Sequence, residues 1–600
     1  MAQMKKGPKV VSLVLIVGAL LYGASYAANN GYLGNIFRSS VVPQKANLPN
    51  APAESRSAAT TEAALPSTSV ARVNAPEVRM QVWAWNAQMG LMYANGGPQT
   101  TKGSLMEKHN VNLTLTRQDD VPQMQNSLIS FANALANGDS HPTAGVHYVA
   151  IMGDGAGAFF AGINPQLAKL GSEYTAEVVG SAGYSRGEDG FWGPAKWKTD
   201  PQSARGGLVA GYLRDGDWNI ALKWLGDSNI PNNPDEKTWD ADALNWVSAD
   251  TYIDAVQKYI AGYCEDRPVV KKGKKTGESK KVCLDQDNGG YVTWTPGDVM
   301  GAKKRGGLVP IVTTRQYRSQ MPNTIIGIKK WNRDNAETVA HFLAAVFEGG
   351  DQVKLSERAL LKGAQISAQV YNEEDAEYWA RYYKGVTELD ATGVRVQLGG
   401  STVNNLEDNR VLFGLKGGLN LFAATYKTFG DIVVQQYPEL VPSYPPVNEI
   451  LNTAYVQRAA EFITSSGQAD VAKFEQGTRV QERVSERSWT INFRSGSAEF
   501  TPETLRTLDK LANDLAVAGG LAVELHGHTD SDGEEFQNEL LSLKRARAVQ
   551  EWLTSKDVQT FSKNRFQVYG HGESEPVTTN DSVAGKAQNR RVVIVMGTTR

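Results

Sequence analysis

The last part of the chain, residues 488–600, constrains the fold most, because strand and helix patterns alternate there between clear turn residues. A strand pattern at 489–493 is followed by Thr501 and Pro502, an N-cap residue and a first-turn proline that predict the start of a helix. The alternation then continues through a strand at 521–525, a helix at 538–553 and strands at 566–569 and 592–595. The order β-α-β-α-β-β predicts an α+β domain whose helices cover one face of a sheet.

An ordered set of polar and glycine positions accompanies these elements. The turn Gly-His-Thr-Asp at 527–530 leaves a strand, and Leu-Ser-Leu-Lys-Arg at 541–545 lies on the next helix. The segment 569–576 follows a later strand, and Asn-Arg-Arg at 589–591 precedes the last one. This pattern resembles the OmpA-like peptidoglycan-binding domain, and the resemblance covers residues 488–600.

The resemblance implies that Asp530 and Arg545 hold the diaminopimelate side chain of the cell-wall stem peptide. The distal centre of diaminopimelate is a zwitterion, so a carboxylate can accept bonds from its ammonium group while a planar guanidinium binds its carboxylate through two parallel N–H groups. Apart from the flanking pattern, the same two residues are also compatible with a structural ion pair between them. Four further residues are expected to support the site: Thr529, Asn538, Asn589 and Arg590.

His526 and His528 alternate along one strand and therefore lie on one face of it, an arrangement that invites comparison with a metal site. The sequence places no third ligand of suitable type beside them, and the histidine of the Gly-His-Thr-Asp turn is common in the OmpA-like domain. We therefore expect neither a metal nor a cofactor.

Residues 76–450 show a different organisation, in which short apolar strands alternate with amphipathic helices. The apolar run at 146–152 breaks into a glycine-rich turn at 153–157, and helical periodicity appears at 249–260 and 334–347. Strands that alternate with helices predict an α/β domain with a mainly parallel sheet.

This middle region is similar to periplasmic solute-binding proteins of the two-lobed, nitrate/taurine-like type. Residues 206–210 enter a helix near 217–220, as at the crossover into the second lobe. Residues 292–296 resemble a strand that ends that lobe, and a return is expected near 312–314. Residues 322–327, followed by a helix, match the return to the first lobe.

The resemblance implies a small, possibly anionic solute between the lobes, with Asn86, Asp154, Gly155 and Thr295 as candidate contacts. A glycine-rich turn at a helix start can offer backbone N–H groups to an anion, although a plain tight turn has the same composition. The alternative is a scaffold whose middle domain docks a protein partner. The sequence contains no nucleophile elbow, P-loop or His-Glu-x-x-His motif, so we assign no catalytic residue and do not expect an enzyme.

The N-terminus predicts export. Lys5, Lys6 and Lys9 precede an uncharged run at 10–28, which is long enough to span a bilayer as a helix. We expect an inner-membrane anchor with periplasmic domains in a Gram-negative envelope. The small residues Ser25 and Ala27, two positions apart, leave a cleaved signal and a soluble periplasmic protein as the alternative. Residues 29–75, rich in Ala, Pro, Ser and Thr, are expected to form a flexible linker.

Three further expectations complete the analysis. Cys264 and Cys283 are the only cysteines, and on the exported side they predict one disulfide. Apolar spacing near the start of 451–487 predicts a helical connector between the two folded regions. A net charge of −2 gives no reason to expect nucleic-acid binding.

Overall fold

The computed structural model describes residues 65–213, 216–463, 467–494 and 496–599, which belong to one compact unit. The predicted membrane segment at 10–28 lies outside these ranges. Among the helices that are described, none has both the length and the apolar composition needed to cross a bilayer.

The first lobe is built on a six-stranded mixed sheet. Across the sheet, its strands are β2 (Asn112–Arg117), β1 (Glu77–Val82), β3 (Tyr148–Met152), β13 (Pro322–Ile328), β4 (Ala176–Ser185) and β16 (Ser401–Val403). β1 runs parallel to β2 and β3, whereas β13 is antiparallel to both β3 and β4. Every residue of β3, β4 and β13 is buried, as is typical of strands covered on both faces.

The second lobe is built on a five-stranded sheet with two small sheets beside it. Its strands are, in order, β12 (Val309–Thr313), β5 (Gly190–Gly193), β11 (Gly289–Thr293), β6 (Leu208–Gly211) and β8 (Asn245–Ser248). The small sheets contain β10 (Lys274–Cys283), β9 (Cys264–Lys271) and β7 (Trp239–Asp240), and β14 (Val386–Leu389) with β15 (Arg395–Leu398). The predicted two-lobed α/β fold is confirmed, but the sheets are mixed because the strands next to the crossovers run antiparallel.

Crossovers between the lobes lie before β5 and after β12, and again before β14 and after β15. The first leaves β4 at Ser185 and enters β5 at Gly190, so the prediction of a crossover at 206–220 is wrong. Those residues form a strand and a helix within the second lobe, and a glycine-rich strand that enters a helix is common to every βα unit. The second crossover leaves β12 at Thr313 and enters β13 at Pro322, as predicted.

Helices cover both sheets, and several begin at the expected N-cap residues. The side chain of Asp120 accepts a bond from the backbone N–H of Gln123, and Asn405 and Asp408 form a capping box. The helices are α1 (Met89–Asn95), α2 (Leu105–Lys108), α3 (Val121–Ala136), α4 (Ala156–Leu167), α5 (Lys196–Thr199), α6 (Gly216–Asp227), α7 (Tyr252–Ala261), α8 (Gly297–Lys304), α9 (Lys329–Asp334), α10 (Ala336–Leu355), α11 (Glu357–Tyr371), α12 (Ala376–Lys384), α13 (Leu406–Leu412), α14 (Leu421–Gln436), α15 (Val447–Ile450) and α16 (Ala454–Ala459).

The predicted linker at 29–75 ends earlier than expected. Ser67 and Ala71 donate backbone hydrogen bonds to the carbonyl groups of Lys102 and Thr100, both at 2.9 Å, and the side chain of Pro66 is buried. A segment without apolar periodicity can still add to a folded domain through its backbone, which a composition argument does not detect.

The predicted disulfide joins Cys264 to Cys283. The two residues face each other at the base of the β9–β10 hairpin, where β9 begins and β10 ends. The disulfide therefore closes the open end of an exposed hairpin.

The C-terminal domain has the predicted α+β fold. Its sheet contains, in order, β17 (Glu482–Trp489), β20 (Val592–Thr598), β18 (Ala522–Gly527) and β19 (Phe566–Gly570). Its helices are α17 (Thr504–Val517), α18 (Glu535–Lys556) and the short α19 (Val583–Asn589).

The connector is less helical than predicted for 451–487. After α16 and a single 3-10 turn at Ala460–Phe462, the described residues 467–481 contain neither helix nor strand. The following residues form β17, which pairs with β20 at the edge of the sheet and replaces the predicted strand at 489–493. Charged side chains such as Arg483 and Glu486 are frequent on edge strands, and their spacing gives a misleading helical pattern.

The C-terminal domain packs directly against the two-lobed part. Helix α17 lies on α14, and one continuous hydrophobic core includes residues from both. Backbone hydrogen bonds join the second crossover to the C-terminal domain, from Ser319 to Val517 at 3.2 Å and from Gly520 to Gln316 at 3.1 Å.

A buried ion network closes this interface. The ammonium group of Lys223, on α6, lies 3.0 Å from Asp227 on the same helix and 2.6 Å from Asp514 on α17. Tyr317 donates its hydroxyl to Asp227 at 2.7 Å, and the hydroxyl of Ser485 on β17 donates to the Asp227 carbonyl oxygen at 3.2 Å. The network therefore connects the second lobe, the second crossover and the C-terminal domain.

Replacing Lys223 should expose the importance of this network. Lys223→Met removes the cation from between two buried carboxylates, and breaking a buried pair in this way costs roughly 3–5 kcal/mol. We expect a loss of that size in the free energy of urea unfolding. Lys510→Met on the exposed side of α17 is the matched control and should change it by less than about 0.5 kcal/mol. A Lys223→Met protein as stable as the control would contradict the structural role.

Candidate functional site

The residues predicted to bind peptidoglycan come from three elements of the C-terminal domain. Thr529 and Asp530 lie in the turn after β18, and Asn538 and Arg545 lie on α18. All four side chains are at least nine-tenths buried, although they are polar. Asn589 ends α19, and Arg590 follows it half-buried.

Asp530 and Arg545 do not form an ion pair with each other in the described structure. Asp530 pairs with Arg590, and the Nε atom of Arg545 donates to the Ser497 carbonyl oxygen at 3.1 Å. The Arg545 guanidinium also lies over the Phe493 ring, 5.1 Å from its centroid. The alternative of a structural Asp530–Arg545 pair is therefore not what the geometry shows.

Electrostatics nevertheless couple the three charged groups. Burial and the neighbouring Arg590 guanidinium lower the pKa of Arg545, and the Asp530 carboxylate partly offsets this. Two guanidinium groups and one carboxylate thus lie close together with a local excess of positive charge.

Asn538 and Thr529 hold the turn that carries Asp530. The Asn538 amide donates to Glu573 at 2.6 Å and to the Asp530 carbonyl oxygen at 3.4 Å. The Thr529 backbone N–H donates to Gly572 at 2.8 Å, but its buried hydroxyl oxygen has no hydrogen-bond partner among the described residues. A buried hydroxyl without a partner is available to a ligand.

Asn589 braces a loop and does not face the charged groups. Its side-chain oxygen accepts from the backbone N–H groups of Val577 and Thr578, at 2.9 and 3.2 Å. Its amide donates to the Thr578 carbonyl oxygen and to Asn580, both at 2.9 Å. Asn589 therefore fixes the loop before α19, next to Arg590.

The candidate solute contacts lie where the two lobes meet. Asn86 follows β1, Asp154 and Gly155 follow β3, and Thr295 follows β11, so these residues gather at the carboxyl ends of strands. Hydrogen bonds cross between the lobes here, from Trp294 to the Ala84 carbonyl oxygen at 3.3 Å and from Asn219 to the Asp154 carbonyl oxygen at 3.4 Å. The lobes are thus in direct contact.

Asn86 is the most unusual of these contacts. Its side chain is fully buried, yet neither its amide nitrogen nor its oxygen has a hydrogen-bond partner among the described residues. Side-chain oxygens of Asn219, Gln320 and Asn323 are likewise buried without partners. Buried polar atoms without partners carry a free-energy cost that a bound ligand or water would remove.

The N–H groups of Gly153 and Gly155 in the glycine-rich turn are already engaged within the first lobe. The N–H of Gly155 donates to Met152 at 3.0 Å, and that of Gly153 donates to Pro322 at 2.9 Å. The Asp154 carboxylate accepts from the Gln320 amide at 2.7 Å. The turn is therefore a tight turn, and the expectation that Gly155 binds an anion through its backbone is wrong.

Carboxyl groups are concentrated around the same cleft. Burial raises the pKa of Asp189 and that of Asp298 to about 6, and burial together with Asp189 raises the pKa of Glu188 well above its usual range. Trp85 donates to Asp189 at 3.1 Å, and the backbone N–H of Asn86 donates to Glu188 at 3.2 Å. Carboxyl groups with a pKa of about 6 are mostly ionised at neutral pH, so Asp189 and Asp298 do not favour the predicted anionic solute.

A cluster of histidine and glutamate side chains that the sequence did not reveal lies beside the peptidoglycan candidates. His528 stacks on His571, and Glu575 lies next to both. His526 also contacts His571, although 45 residues separate the two in the sequence. The parallel pairing of β18 with β19 brings them together, and only a correct pairing of these two strands would have found them.

Comparisons with known proteins match the C-terminal domain. The OmpA family model matches residues 492–590. The peptidoglycan-associated lipoprotein of Pseudomonas putida is 36% identical over 116 residues, 19% of this chain and 68% of that protein. The protein of the same name from Pseudomonas aeruginosa is 38% identical over 103 residues, 17% of this chain and 59% of that protein.

The two-lobed part has a distant structural neighbour. The periplasmic nitrate-binding protein NrtA from Synechocystis PCC 6803 aligns with 65% of this chain and 90% of its own, at 10% identity and a TM-score of 0.43. The sequence matches fall on the C-terminal domain. The same domain has the β-α-β-α-β order and the Gly-His-Thr-Asp turn. Through that domain, this chain belongs to the OmpA family.

Proposed function

We propose that this chain is a cell-envelope protein that binds diaminopimelate-containing peptidoglycan non-covalently through its C-terminal domain. The observation that carries the proposal is the arrangement of Asp530, Arg545 and Arg590, which places one carboxylate beside two guanidinium groups. Relatives of this domain are named peptidoglycan-associated lipoproteins, which supports the same ligand.

The chemistry of the site suits a zwitterionic amino-acid centre. Arg545 can bind the ligand carboxylate through its guanidinium, and Asp530 can accept from the ligand ammonium group. The buried hydroxyl of Thr529 can complete the ligand's hydrogen bonds, and Asn538 holds the backbone of the turn in place. The ligand ammonium would compete with Arg590 for Asp530, so Arg590 is expected to move or to share the carboxylate.

Substitutions at the charged pair should separate binding from folding. Asp530→Ala and Arg545→Ala each leave one charge of the ligand unpaired at a partly desolvated site, which costs about 2–5 kcal/mol of binding. We expect both variants of the full chain to stay in the supernatant when wild type sediments with isolated peptidoglycan. Arg545→Lys should lose nearly as much, because a point charge cannot replace the planar fork.

Two controls make this experiment specific. Arg547→Ala removes an exposed arginine from the same helix and should sediment like wild type. Peptidoglycan with lysine in place of diaminopimelate lacks the distal carboxylate, so wild type should bind it weakly. Sedimentation of both alanine variants at the wild-type level would contradict the proposal.

We also propose that the cleft between the lobes holds a small solute. The proposal is supported by the unpaired polar atoms around Asn86 and by the direct contacts of the two lobes. The carboxyl groups of Glu188, Asp189 and Asp298 favour a solute that donates hydrogen bonds or carries an amine. In the alternative, the cleft is empty and the two-lobed part docks a protein partner.

A thermal-shift screen tests the cleft directly. Small anions, amino acids and amines are screened against the full chain, and a ligand at 100 times its dissociation constant stabilises by about 2.7 kcal/mol. We expect amines or amino acids to raise the melting temperature of wild type but not of Asn86→Ala. Asn133→Ala, which changes an exposed residue on α3, is the matched control and should respond like wild type. The absence of any shift across the screen would favour the docking scaffold.

The location proposed for the protein is the periplasmic side of the inner membrane, with residues 10–28 as the anchor. This segment lies outside the described residues, so the proposal rests on its charge and apolar pattern. Mass spectrometry of the protein from membranes should find the segment retained. A soluble periplasmic chain that begins near residue 28 would show instead that the segment is a cleaved signal.

A further inference from the structure

A row of histidine and glutamate side chains runs over the β18–β19 edge of the C-terminal domain. His526 lies next to the end of β18, His528 lies in the turn after it, and His571 follows β19. Glu524 lies on β18 before them, and Glu575 lies in the loop after His571. The peptidoglycan contacts proposed above use none of these five side chains.

These side chains form a chain of close contacts. The Nε2 atom of His526 lies 3.3 Å from Glu524, and its Nδ1 atom lies 2.8 Å from Nε2 of His571. The Nδ1 atom of His571 lies 3.2 Å from the carboxylate of Glu575. Both ring nitrogens of both histidines are therefore engaged.

The neutral rings of His526 and His571 carry one hydrogen too few for these three contacts. The three contacts need three hydrogens on the rings of His526 and His571, whereas two neutral imidazoles carry two. A cation at Nδ1 of His571, between its ring and the Glu575 carboxylate, satisfies the whole chain. His571 Nε2–H then donates to His526, and His526 Nε2–H donates to Glu524.

His528 directs a further nitrogen to the same place. Its side chain is 3% exposed, and its Nδ1 atom has no hydrogen-bond partner among the described residues. That atom lies 4.0 Å from the carboxylate of Glu575, and the His528 and His571 rings are stacked with centroids 4.9 Å apart. One ligand atom from each of His528, His571 and Glu575 lies within 4.8 Å of the other two.

We propose that His528, His571 and Glu575 form a binding site for a divalent transition-metal ion of the zinc type. Two imidazole nitrogens and one carboxylate oxygen are a common ligand set for zinc, with a fourth position open to water or to an outside ligand. Tetrahedral ligands at zinc bond lengths lie about 3.3 Å apart. The observed 3.2 and 4.0 Å are to different oxygens of Glu575, and the three ligand atoms lie up to 4.8 Å apart, so the side chains of His528 and Glu575 must move closer to hold an ion. Glu575 is exposed, which gives the ion a path to the site.

The surroundings contain both supporting and opposing groups. Metal-bound histidines usually donate their second ring N–H to a carboxylate, a carbonyl oxygen or water. Here His571 contacts His526, and His526 in turn contacts the carboxylate of Glu524. Arg591 opposes the ion, because its guanidinium donates to the Glu575 carbonyl oxygen at 3.0 Å. The carboxylates of Glu575 and Glu486 offset part of this positive charge.

The metal proposal is independent of the proposed peptidoglycan binding. Asp530 and Arg545 are not ligands of the ion, and Glu575 and His571 are not proposed to contact the cell-wall peptide. Failure of one proposal therefore leaves the other intact.

Zinc titration of the full chain tests the site. The protein is stripped with EDTA and then titrated with Zn²⁺ against a chromophoric chelator. We expect one ion per chain. His526→Gln, which changes a partner of a ligand rather than a ligand, should weaken zinc binding by roughly 10–100-fold. His571→Gln and Glu575→Gln should weaken it by more. Because Glu575 is exposed, Glu575→Gln keeps the domain folded and keeps the test valid if His528→Gln does not fold.

The matched control removes a histidine from the other close pair in the described structure. His341 lies 3.4 Å from His109 in the first lobe, and His341→Gln should bind zinc as wild type does. Two results would overturn the proposal. One is the absence of saturable zinc binding by wild type, and the other is binding that survives in both His571→Gln and Glu575→Gln.

Discussion

A lysine buried between two carboxylates, Lys223 with Asp227 and Asp514, holds the C-terminal domain against the second lobe. A charge so deeply buried is tolerated only with its partners, so the interface cannot open without leaving ions unpaired. The rest of the arrangement depends on this constraint. The C-terminal domain and the two-lobed part belong to one packed body, with a continuous hydrophobic core.

The helix that carries Lys223 reaches from the cleft between the lobes to the C-terminal domain. Its first turns bring Asp217 and Asn219 to the cleft between the lobes, and its last turn carries Asp227 to the C-terminal domain. The second crossover makes a parallel connection, because Gln320 contacts Asp154 in the cleft while Ser319 bonds to Val517. The same two elements therefore contact both the cleft and the C-terminal domain.

The sequence predicted those parts of the fold and the site that depend on contiguous residues or on a single possible pairing. The turn with Asp530 and the helix with Arg545 follow from contiguous patterns, and the disulfide follows from a lone cysteine pair. The first crossover was misplaced because a glycine-rich strand before a helix occurs in any βα unit. The acidic cleft and the histidine cluster were not found, since residues such as Asp298 and His571 reach their sites only through strand pairing.

The central claim is that a zwitterionic cell-wall peptide binds between Asp530 and Arg545. The most direct measurement is a crystal structure of the full chain with a diaminopimelate-containing stem peptide. The account predicts the ligand carboxylate on the guanidinium of Arg545 and the ligand ammonium on the carboxylate of Asp530, with Arg590 displaced or sharing that carboxylate. A peptide bound elsewhere on the domain, with the Asp530–Arg590 pair undisturbed, would contradict the account.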